Sequence, residues 1–500
     1  MNRLSRQSTK HSSEATVNNT TAKGIYIPDL RSRLKGQVIT SEDSAYDQAR
    51  TIFYGGIDRH PAAIIRAADA GDVAKVISLA RETGIELAVR SGGHSFAGHS
   101  LSEGGLVLDL RDMRALQIDP IGRTAWAETG LTTGEYTNAA DAYNLATGFG
   151  DTGSVGIGGI TLGGGIGFLV RKHGLTIDNL LAAEIVTADG QTRRVDTENH
   201  PDLFWAIRGG GGNFGVVTRF QFRLHPLDTV VGGMLILPAT PEAIAGFIAE
   251  AQAAPEELST IANVMIAPPL PFVPEQARGK LILMAMLVYA GDIEAGQRAI
   301  VPFRTLTRPI ADMVRPMRYP EIFPSEDKNY HPIAVTRTMF IDQVERDTAE
   351  RMIEHLRASD APMRIAQLRV LGGAMARVQA DATAFAHRQA RILVNLVAFY
   401  DKPEDRTMRE NWVADFAADL DRGYSGAYVN FLSDEGEARV RAAYPGPTWD
   451  KLMAIKARYD PLNLFRVNHN IPPAMESTSS EEQAVPLIAG SHGTSGDRTL

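Results

Sequence analysis

Apolar positions change from a helical to a strand spacing early in the chain. From residue 72 to residue 81 they recur every three or four positions, and Gly84 follows as a helix stop. From residue 85 to residue 89 they alternate with period two, as in a half-buried strand. The pattern predicts a helix that leads into a strand, which ends directly before the segment Arg90-Ser91-Gly92-Gly93-His94.

The rest of the first half reads as short strands and one helix. Strands are predicted at residues 123–129, 180–188 and 191–195, and a helix at residues 135–143. Asp189-Gly190 lies between the last two strands and is a type I′ turn signal, so these two strands are predicted to form a β-hairpin.

Past Pro226, longer strands alternate with amphipathic helices. The strands are predicted at residues 230–237, 261–267, 280–289, 364–370 and 391–400, and the helices at residues 241–253, 342–357 and 411–420. This order is typical of an antiparallel sheet that carries helices on one side, so the second half is predicted to be a separate α+β domain. A further helix, at residues 449–459, precedes the closing segment 459–472.

Glycine is concentrated in the first half. Eight of the fifteen residues from 153 to 167 are glycine, against 46 in 500 overall. Such a run is costly to fold as a regular helix or strand, and regularly interleaved Val and Ile residues argue against a solvated linker. We therefore expect an irregular backbone that packs flat against a large ligand. Gly210, Gly212 and Gly215 match the spacing of a dinucleotide fingerprint, but a strand rather than a helix follows them, which excludes that interpretation.

Composition and charge narrow the class of protein. The 500 residues have a net charge of −8, 44% hydrophobic content and no basic stripe, so nucleic acid is not an expected partner. Cysteine is absent, which excludes disulfides and thiolate chemistry. No run is long enough to span a membrane, and the first residues lack a secretory signal, so a cytoplasmic location is expected. Residues 1–25 and 476–500 are polar and predicted to be disordered.

The segment after the strand at 85–89 is the best candidate for a ligand loop. Gly92 and Gly93 allow close backbone approach and leave N–H groups that can point at an anion, and Arg90 adds a positive charge. These features favour a phosphorylated cofactor with His94 beside it. A plain tight turn with a surface histidine is the structural alternative.

A serine hydrolase is the alternative from another class. Residues 93–97, Gly-His-Ser-Phe-Ala, approximate the G-x-S-x-G nucleophile elbow, with Ser95 as the nucleophile. That elbow requires a helix directly after the serine, whereas here a turn leads into another strand at residues 106–110.

Three motifs in this order resemble the flavoproteins of the vanillyl-alcohol-oxidase type (PCMH-type FAD-binding), and among them the berberine-bridge-enzyme-like oxidases. The motifs are Arg90-Ser-Gly-Gly-His94, the glycine run at residues 156–167 with Arg171-Lys-His-Gly-Leu175 after it, and Tyr459-Asp-Pro with Asn468-His-Asn470-Ile-Pro. The resemblance implies an α+β fold: a two-part FAD-binding domain at residues 26–226 and 431–475, and an inserted substrate domain at residues 227–430 built on an antiparallel sheet.

The resemblance also implies the cofactor contacts. It implies FAD, with residues 90–95 around the pyrophosphate and a covalent link from His94 to the 8α-methyl of the flavin. Bicovalent members use a cysteine where this chain has Thr152, so only the histidyl link is possible here. Val155 corresponds to the residue that gates oxygen access. The expected cofactor-binding residues are His94, Arg90, Ser91, Gly92, Gly93, Ser95, Thr152, Val155, Gly156, Gly158, Gly159, Leu162, Gly163, Gly164, Gly165, Gly167, Val217, Asn468 and Asn470.

The catalytic base is not identified by the resemblance. Members that deprotonate alcohols or phenols often carry tyrosines where this chain has Ile166 and Phe431, neither of which exchanges protons. The candidates in this sequence are Tyr428, Tyr136 and His173. The structural alternative is packing for the two tyrosines and capping of backbone carbonyls for His173.

The predicted function is that of an FAD-dependent oxidoreductase, most simply an oxidase. A substrate C–H next to O or N would pass a hydride to flavin N5, and O2 would reoxidise the flavin with release of H2O2. An FAD-dependent dehydrogenase with another electron acceptor is the nearest alternative, and a flavin-binding protein without turnover is a third. A small-molecule substrate is expected between the domains, with neither nucleic acid nor a membrane as partner; amines, sugars and other alcohols all remain open.

Overall fold

The computed structural model describes residues 24–423 and 426–475, apart from residues 325, 326 and 328. The two segments predicted to be disordered lie outside the described residues, except for Gly24 and Ile25. Ile25 packs in a buried cluster with Ile27 and Leu30, so the predicted N-terminal arm extends too far by at least this residue. No helix in the described part of the chain is both long and apolar enough to cross a bilayer.

The described strands and helices follow in chain order. The strands are β1 (Gln37–Ile39), β2 (Ala63–Arg66), β3 (Leu87–Arg90), β4 (Leu106–Asp109), β5 (Leu116–Asp119), β6 (Thr124–Glu128), β7 (Leu145–Ala146), β8 (Leu180–Val186), β9 (Thr192–Val195), β10 (Val216–Arg223), β11 (His225–Pro226), β12 (Thr229–Pro238), β13 (Leu258–Ile266), β14 (Leu281–Tyr289), β15 (Ala311–Asp312), β16 (Arg315–Arg318), β17 (Ala334–Ile341), β18 (Arg364–Val370) and β19 (Ile392–Phe399). The α-helices are α1 (Ile27–Arg33), α2 (Tyr46–Arg50), α3 (Ala70–Thr83), α4 (Thr133–Asp141), α5 (Ile157–Leu162), α6 (Val170–His173), α7 (Pro201–Ile207), α8 (Pro241–Ala253), α9 (Ile293–Thr305), α10 (Arg346–Ala358), α11 (Ala374–Arg377), α12 (Arg406–Leu420), α13 (Glu437–Ala443) and α14 (Pro447–Tyr459). Short 3-10 helices lie at Thr176–Asn179, Glu275–Ala277, Tyr319–Ile322, Pro403–Asp405 and Val429–Phe431.

The first half of the chain builds two main sheets. One has the order β1-β2-β4-β3, in which β2, β4 and β3 are parallel, and the other is antiparallel with the order β5-β6-β10-β8-β9. Helix α3 connects β2 to β3. The Asp69 carboxylate caps its N-terminus by accepting the Asp72 N–H, and Gly84 ends it in the left-handed conformation at φ 65°.

The second half builds one large antiparallel sheet with the order β15-β12-β14-β13-β18-β19-β17, and β16 also pairs with β12. Apolar side chains of α8, α9, α10 and α12 pack against one face of this sheet and form the largest core cluster with it. The predicted α+β class with an antiparallel sheet is therefore confirmed. The opposite face of the sheet is turned towards the first half of the chain.

The last segment returns to the first half. Trp449, Leu452 and Tyr459 of α14 lie in one buried cluster with Leu203 and Phe204 of α7. A second connection is polar: the buried Lys456 Nζ donates to the Asn213 carbonyl oxygen at 2.7 Å and also forms an ion pair of 2.6 Å with Asp460. The Asp460 carboxylate also accepts the Leu464 and Phe465 N–H groups, which fixes the turn after the helix. The Tyr-Asp-Pro motif thus has a structural role, because its aspartate sets the direction of the closing segment.

Candidate active site

A cavity of about 500 Å³ opens between the glycine-rich loops of the first half and the uncovered face of the large sheet. The loop after β3, the glycine run and residues 465–469 line one part of it. Strands β18 and β19 and residues 428–432 line the other part. The cavity therefore lies between the loops that are predicted to bind the cofactor and the sheet that is predicted to bind the substrate.

Two glycine loops meet at the cavity in a contact that only glycine permits. A Cβ on Gly92 would lie 2.1 Å from Gly156 N, and a Cβ on Gly156 would lie 2.2 Å from Gly92 N. The backbone N–H groups of Gly92, Gly93 and Ser95 have no hydrogen-bond acceptor within the described part of the chain. Unpaired N–H groups in a glycine loop that lines a cavity can bind an anion, so the loop fits the pyrophosphate of FAD.

The His94 side chain is held in a fixed orientation at the cavity wall. Its ring stacks on Phe53, with the ring centroids 4.2 Å apart and the planes at 20°. Its Nε2 atom lies 3.0 Å from the Ser154 hydroxyl oxygen. A stacked and hydrogen-bonded imidazole is suited to a covalent link because its orientation is set before the link forms.

The Arg90 side chain contacts an acidic residue. Its guanidinium is buried and forms an ion pair of 2.6 Å with Asp109, which Arg111 also contacts at 2.6 Å. Arg90 is not among the residues that line the cavity. Asp109 thus engages Arg90 Nη2, while the buried Nε and Nη1 atoms have no partner in the described residues. That Arg90 lies near the pyrophosphate stays a prediction, and the neighbouring backbone N–H groups line the cavity itself.

Most of the other expected cofactor residues line the cavity. They are Ser91, Gly92, Gly93, His94, Ser95, Thr152, Val155, Gly156, Gly158, Gly159, Leu162, Val217 and Asn468. Asn468 donates from Nδ2 to the carbonyl oxygens of Gly212 and Phe465, while its buried Oδ1 has no partner in the described residues. An unpaired acceptor at the cavity wall fits a ligand that carries N–H groups, as the flavin ring does.

The remaining glycines of the run are packing positions outside the cavity lining. A Cβ on Gly163 would lie 2.0 Å from Asn430 Oδ1, and one on Gly165 would lie 1.9 Å from Thr176 Oγ1. A Cβ on Gly167 would lie 2.5 Å from the Gly150 carbonyl oxygen, and Gly164 has a φ of 129° that disfavours other residues. Asn470 also lies outside the lining, and its buried Oδ1 has no partner in the described residues. These five residues lie behind the cavity wall, and their expected contact with the cofactor stays a prediction.

Part of the glycine run folds differently from the expectation. Residues Ile157–Leu162 form helix α5, although the glycine density predicts irregular backbone. Gly158 lies on this helix where it passes the first loop, and a Cβ there would come within 2.9 Å of the Ser91 side chain. Glycine is used here for close helix–loop packing rather than for an irregular backbone.

Tyr428 lies at the cavity wall with its hydroxyl oxygen in a defined environment. The hydroxyl accepts the Gly165 N–H at 3.0 Å and the Asn430 Nδ2–H at 2.9 Å. Burial raises the pKa of Tyr428, and the donors Asn430 and Gly165 and the charge of Arg369 act in the opposite direction. The effect of burial is the larger one, so the neutral phenol is favoured, and the donors and the charge only partly offset the rise of the pKa.

The other two candidate bases lie outside the cavity lining. Tyr136 is buried in the core, where its hydroxyl is 3.1 Å from Thr147 Oγ1. His173 stacks on His225 with the ring centroids 3.8 Å apart, and burial lowers its pKa to about 3. Both assignments are corrected on these grounds, because neither side chain touches the space that a substrate would occupy.

Several functional side chains at the cavity were not found from the sequence. Asp151 and Arg369 form an ion pair of 2.6 Å across it, and Tyr54 stacks on Phe96 with the ring centroids 4.3 Å apart. Asn430 lies in the Tyr-x-Asn spacing after Tyr428, a local signal that would have pointed to it. Ile166 and Phe431 both line the cavity, so these positions are at the site but supply no proton.

Ser95 has the surroundings of a loop residue rather than of a nucleophile. Its hydroxyl accepts the His99 backbone N–H at 3.3 Å, and the residues after it form turns instead of a helix. The structural requirement of a nucleophile elbow is therefore not met.

Comparisons with known proteins identify the class. Residues 61–196 match the model of an FAD binding domain, and residues 427–472 match the model named berberine and berberine like. The chain is 30% identical to the FAD-linked oxidoreductase YgaK of Bacillus subtilis over 457 residues, which are 89% of this chain and 99% of that protein. It is 29% identical to (R)-6-hydroxynicotine oxidase of Paenarthrobacter nicotinovorans, covering 88% of this chain and 97% of that one.

The solved structures agree with these matches. The crystal structure of 6-hydroxy-D-nicotine oxidase from Arthrobacter nicotinovorans superposes with a TM-score of 0.79 at 28% identity, covering 88% of this chain and 98% of that one. The fold and the cavity define an FAD-dependent oxidoreductase. More narrowly, the chain belongs to the berberine-bridge-enzyme-like FAD-linked oxidoreductases. Nothing in these matches supports a serine hydrolase.

Proposed function

We propose that this protein is an oxidase that removes two electrons from a small molecule and passes them to O2. The observation that carries the proposal is the shared cavity, in which the anion-binding loop and His94 face the same space as Tyr428. When bound, FAD supplies a two-electron acceptor: a hydride leaves a substrate C–H next to O or N for flavin N5, and O2 takes the two electrons with two protons and departs as H2O2.

The residues of the chain bind and orient both partners. The backbone N–H groups of Gly92, Gly93 and Ser95 bind the pyrophosphate, and His94 forms a single covalent link to the cofactor. Thr152 stands where a second, cysteinyl link would require a thiol, so no second link forms. Val155 lines the cavity, and a small aliphatic residue at the position that gates oxygen in the family supports the oxidase over the dehydrogenase.

Tyr428 handles the substrate proton. Its phenolate accepts the proton from a substrate O–H or N–H while the adjacent C–H loses its hydride. The hydrogen bonds from the Gly165 N–H and the Asn430 Nδ2–H favour the phenolate and partly offset burial, which raises the pKa of Tyr428. A base at position 428 compensates for Ile166 and Phe431, which supply none.

Anaerobic reduction followed by air tests this proposal. A panel of alcohols, sugars and amines is mixed with the purified yellow protein without oxygen, and bleaching of the flavin absorption is followed. We expect at least one donor to bleach the flavin, and air then to restore the colour with one H2O2 per turnover. A flavin that is bleached but stays reduced in air would establish the dehydrogenase instead. A flavin that no donor bleaches would indicate a binding protein without turnover.

A further inference from the structure

Three amide side chains form one row across the uncovered face of the large sheet. Asn263 on β13 pairs in register with Gln367 on β18, and Gln367 pairs in register with Asn395 on β19. Cross-strand partners point to the same face, so the three amides are neighbours. The row on one side of them is apolar and includes Ile365 and Val397, and the row on the other side contains Arg369 between Ile261 and Leu393. Three amides side by side, next to an apolar row, indicate a recognition element.

The orientation of these amides is set by their hydrogen bonds. Arg369 Nε donates to Gln367 Oε1 at 2.9 Å, and Gln367 Nε2 donates to Asn263 Oδ1 at 3.0 Å. A guanidinium can only donate, so the Gln367 oxygen must face it and the Gln367 nitrogen must face Asn263. The Thr336 hydroxyl donates to the Asn395 oxygen, and in this arrangement the Asn395 nitrogen is turned away from Thr336.

The groups of this row that remain available to a ligand are hydrogen-bond donors. Gln367 and Asn395 both line the cavity. One Nε2 hydrogen of Gln367 and both Nδ2 hydrogens of Asn395 have no acceptor in the described part of the chain. Unpaired N–H groups at a cavity favour a ligand with an acceptor atom, because a donor without an acceptor destabilises the complex once the ligand buries it.

The wall carries no charge that is available to a ligand. Among the described residues that line the cavity, Asp151 and Arg369 are the ones that are formally charged, and they pair with each other at 2.6 Å. Arg369 also donates to the Ile166 carbonyl oxygen at 3.1 Å, and its guanidinium lies 4.8 Å from the centroid of the Phe431 ring. Asp151 accepts the Thr152 hydroxyl at 3.2 Å.

Two of the histidines at the wall are neutral as well. Burial lowers the pKa of His99 to about 3 and that of His469 to about 4. The pKa of Tyr428 is raised, so its hydroxyl is neutral near pH 7. A charged ligand at the amide row would therefore have no counter-ion unless it broke the pair of Asp151 and Arg369. Desolvation of an ion without such a partner is costly, so the part of the cavity at the amide row disfavours both cations and anions.

Aromatic side chains shape the rest of the space. Tyr54 and Phe96 are stacked, and Phe96 meets Phe431 edge-on with the ring centroids 6.4 Å apart. All three line the cavity. Flat or apolar ligand surfaces pack well against such rings.

We propose that the substrate binds as an uncharged molecule whose carbonyl oxygen or ring nitrogen accepts hydrogen bonds from Asn395 and Gln367 while its flat frame packs beside Tyr54, Phe96 and Phe431. This inference rests on the proposed function and names the substrate class of the same site. An amine substrate would enter as its free base, with the ring or carbonyl acceptor, rather than an ammonium group, placed on the amide row. Asn395 and Gln367 are the specificity-determining residues.

Three aromatic probes with nearly the same shape but different charges test the proposal. Benzamide, benzoate and benzamidinium differ mainly in charge, and each is titrated into the oxidised flavoprotein at pH 7. Binding is read from the perturbation of the flavin absorption and, independently, from the shift in the thermal unfolding temperature. We expect benzamide to bind at least tenfold more tightly than either ion.

Two variants and a control connect the result to the amide row. In Asn395→Asp the second carboxylate oxygen replaces the donor, so we expect benzamide binding to weaken and benzamidinium binding to strengthen, each at least tenfold. In Asn395→Leu we expect benzamide binding to weaken without a gain for benzamidinium. Gln389→Glu introduces the same kind of charge at an exposed amide outside the cavity and should leave all three affinities unchanged.

The outcomes separate this inference from the function on which it rests. Equal or tighter binding of either ion, absence of binding by all three probes, or unchanged benzamide binding in both Asn395 variants would overturn it. Should a variant fail to fold, Gln367→Leu supplies the same comparison. A protein that purifies without flavin and does not take up FAD would overturn the proposed function, while the thermal shift still decides the order of the three probes.

Discussion

The Tyr428 hydroxyl connects the local geometry to a pH dependence. Burial raises its pKa, and the hydrogen bond from Asn430 lowers it. If the phenolate takes the substrate proton, kcat/KM rises with pH through the pKa of Tyr428. Asn430→Leu removes a donor that favours the phenolate, so the pKa increases and the rise in kcat/KM moves to higher pH. The measurement is the pH profile of kcat/KM for a donor that reduces the flavin.

Removal of the Tyr428 hydroxyl tests directly whether this residue is the base. Tyr428→Phe should lower kcat/KM about 10²–10⁴-fold, the usual range for losing a general base, and should abolish the rise with pH. Tyr143→Phe, at an exposed tyrosine, is the matched control and should behave as the unmodified protein. A Tyr428→Phe variant that keeps both the rate and the pH profile would exclude Tyr428 as the base.

The sequence predicted the site residues that lie in local motifs. Gly92, Gly93 and His94 follow one another in the chain, and their contact with the cavity could be anticipated from one loop. Asp151 and Arg369 could not be paired in this way because they come from different halves of the chain, and only the position of the large sheet brings them together. Tyr136 was misassigned because a buried aromatic residue and a catalytic one look alike in sequence.

At the scale of elements, Arg171 connects the two halves of the fold. Its buried guanidinium donates to the carbonyl oxygens of Ala251 and Leu258 at 2.8 Å and of Ala254 at 2.9 Å. Two of these carbonyls are at the C-terminal end of helix α8, where the helix leaves its carbonyl groups unpaired. Arg171 therefore holds a helix of the large sheet against the segment that follows the glycine run.

Loss of this side chain should destabilise the whole protein. Arg171→Met leaves three carbonyl groups without their donor, so we expect the free energy of unfolding to fall by roughly 3–5 kcal/mol, at about 1–3 kcal/mol for each unmet group with partial relief by water. Arg357→Met, an exposed arginine on α10, should change it by less than about 0.5 kcal/mol. Urea unfolding of both variants measures the difference, and equal stabilities would contradict the role of Arg171.

The elements with clear periodicity were predicted well, and those with conflicting signals were not. Helix α8 has the predicted bounds, and β14 coincides with a predicted strand. Helix α9 was not predicted, and Pro302 in its last turn is a residue that usually signals a helix end. Helix α5 was missed because its glycines favour irregular backbone in isolation, whereas tertiary packing against Ser91 stabilises the helix.

At the scale of the whole molecule, buried histidines make stability depend on pH. Burial lowers the pKa of His173 to about 3 and that of His225 to about 4, against about 6.5 in an unfolded chain. Below pH 6.5 the unfolded chain therefore binds protons that the folded protein does not. The stabilisation is complete above pH 6.5 and is lost as the pH falls towards 4.

The unfolding temperature should accordingly decrease between pH 6.5 and pH 4.5. The double variant His173→Gln/His225→Gln removes two of the titrating groups, so its unfolding temperature should decrease less over this interval. His60→Gln, at an exposed histidine, should keep the decrease of the unmodified protein. A double variant with an unchanged decrease would show that these two histidines do not cause it.

The cofactor link is the central claim for the molecule as a whole, and an absorption spectrum tests it directly. The purified protein is precipitated with acid, and the flavin absorption is measured in the redissolved pellet and in the supernatant. We predict that the flavin remains with the pellet, and that in His94→Ala any bound flavin moves to the supernatant. Flavin released from the unmodified protein would contradict the covalent link at His94, and a protein that binds no flavin even with added FAD would contradict the whole account.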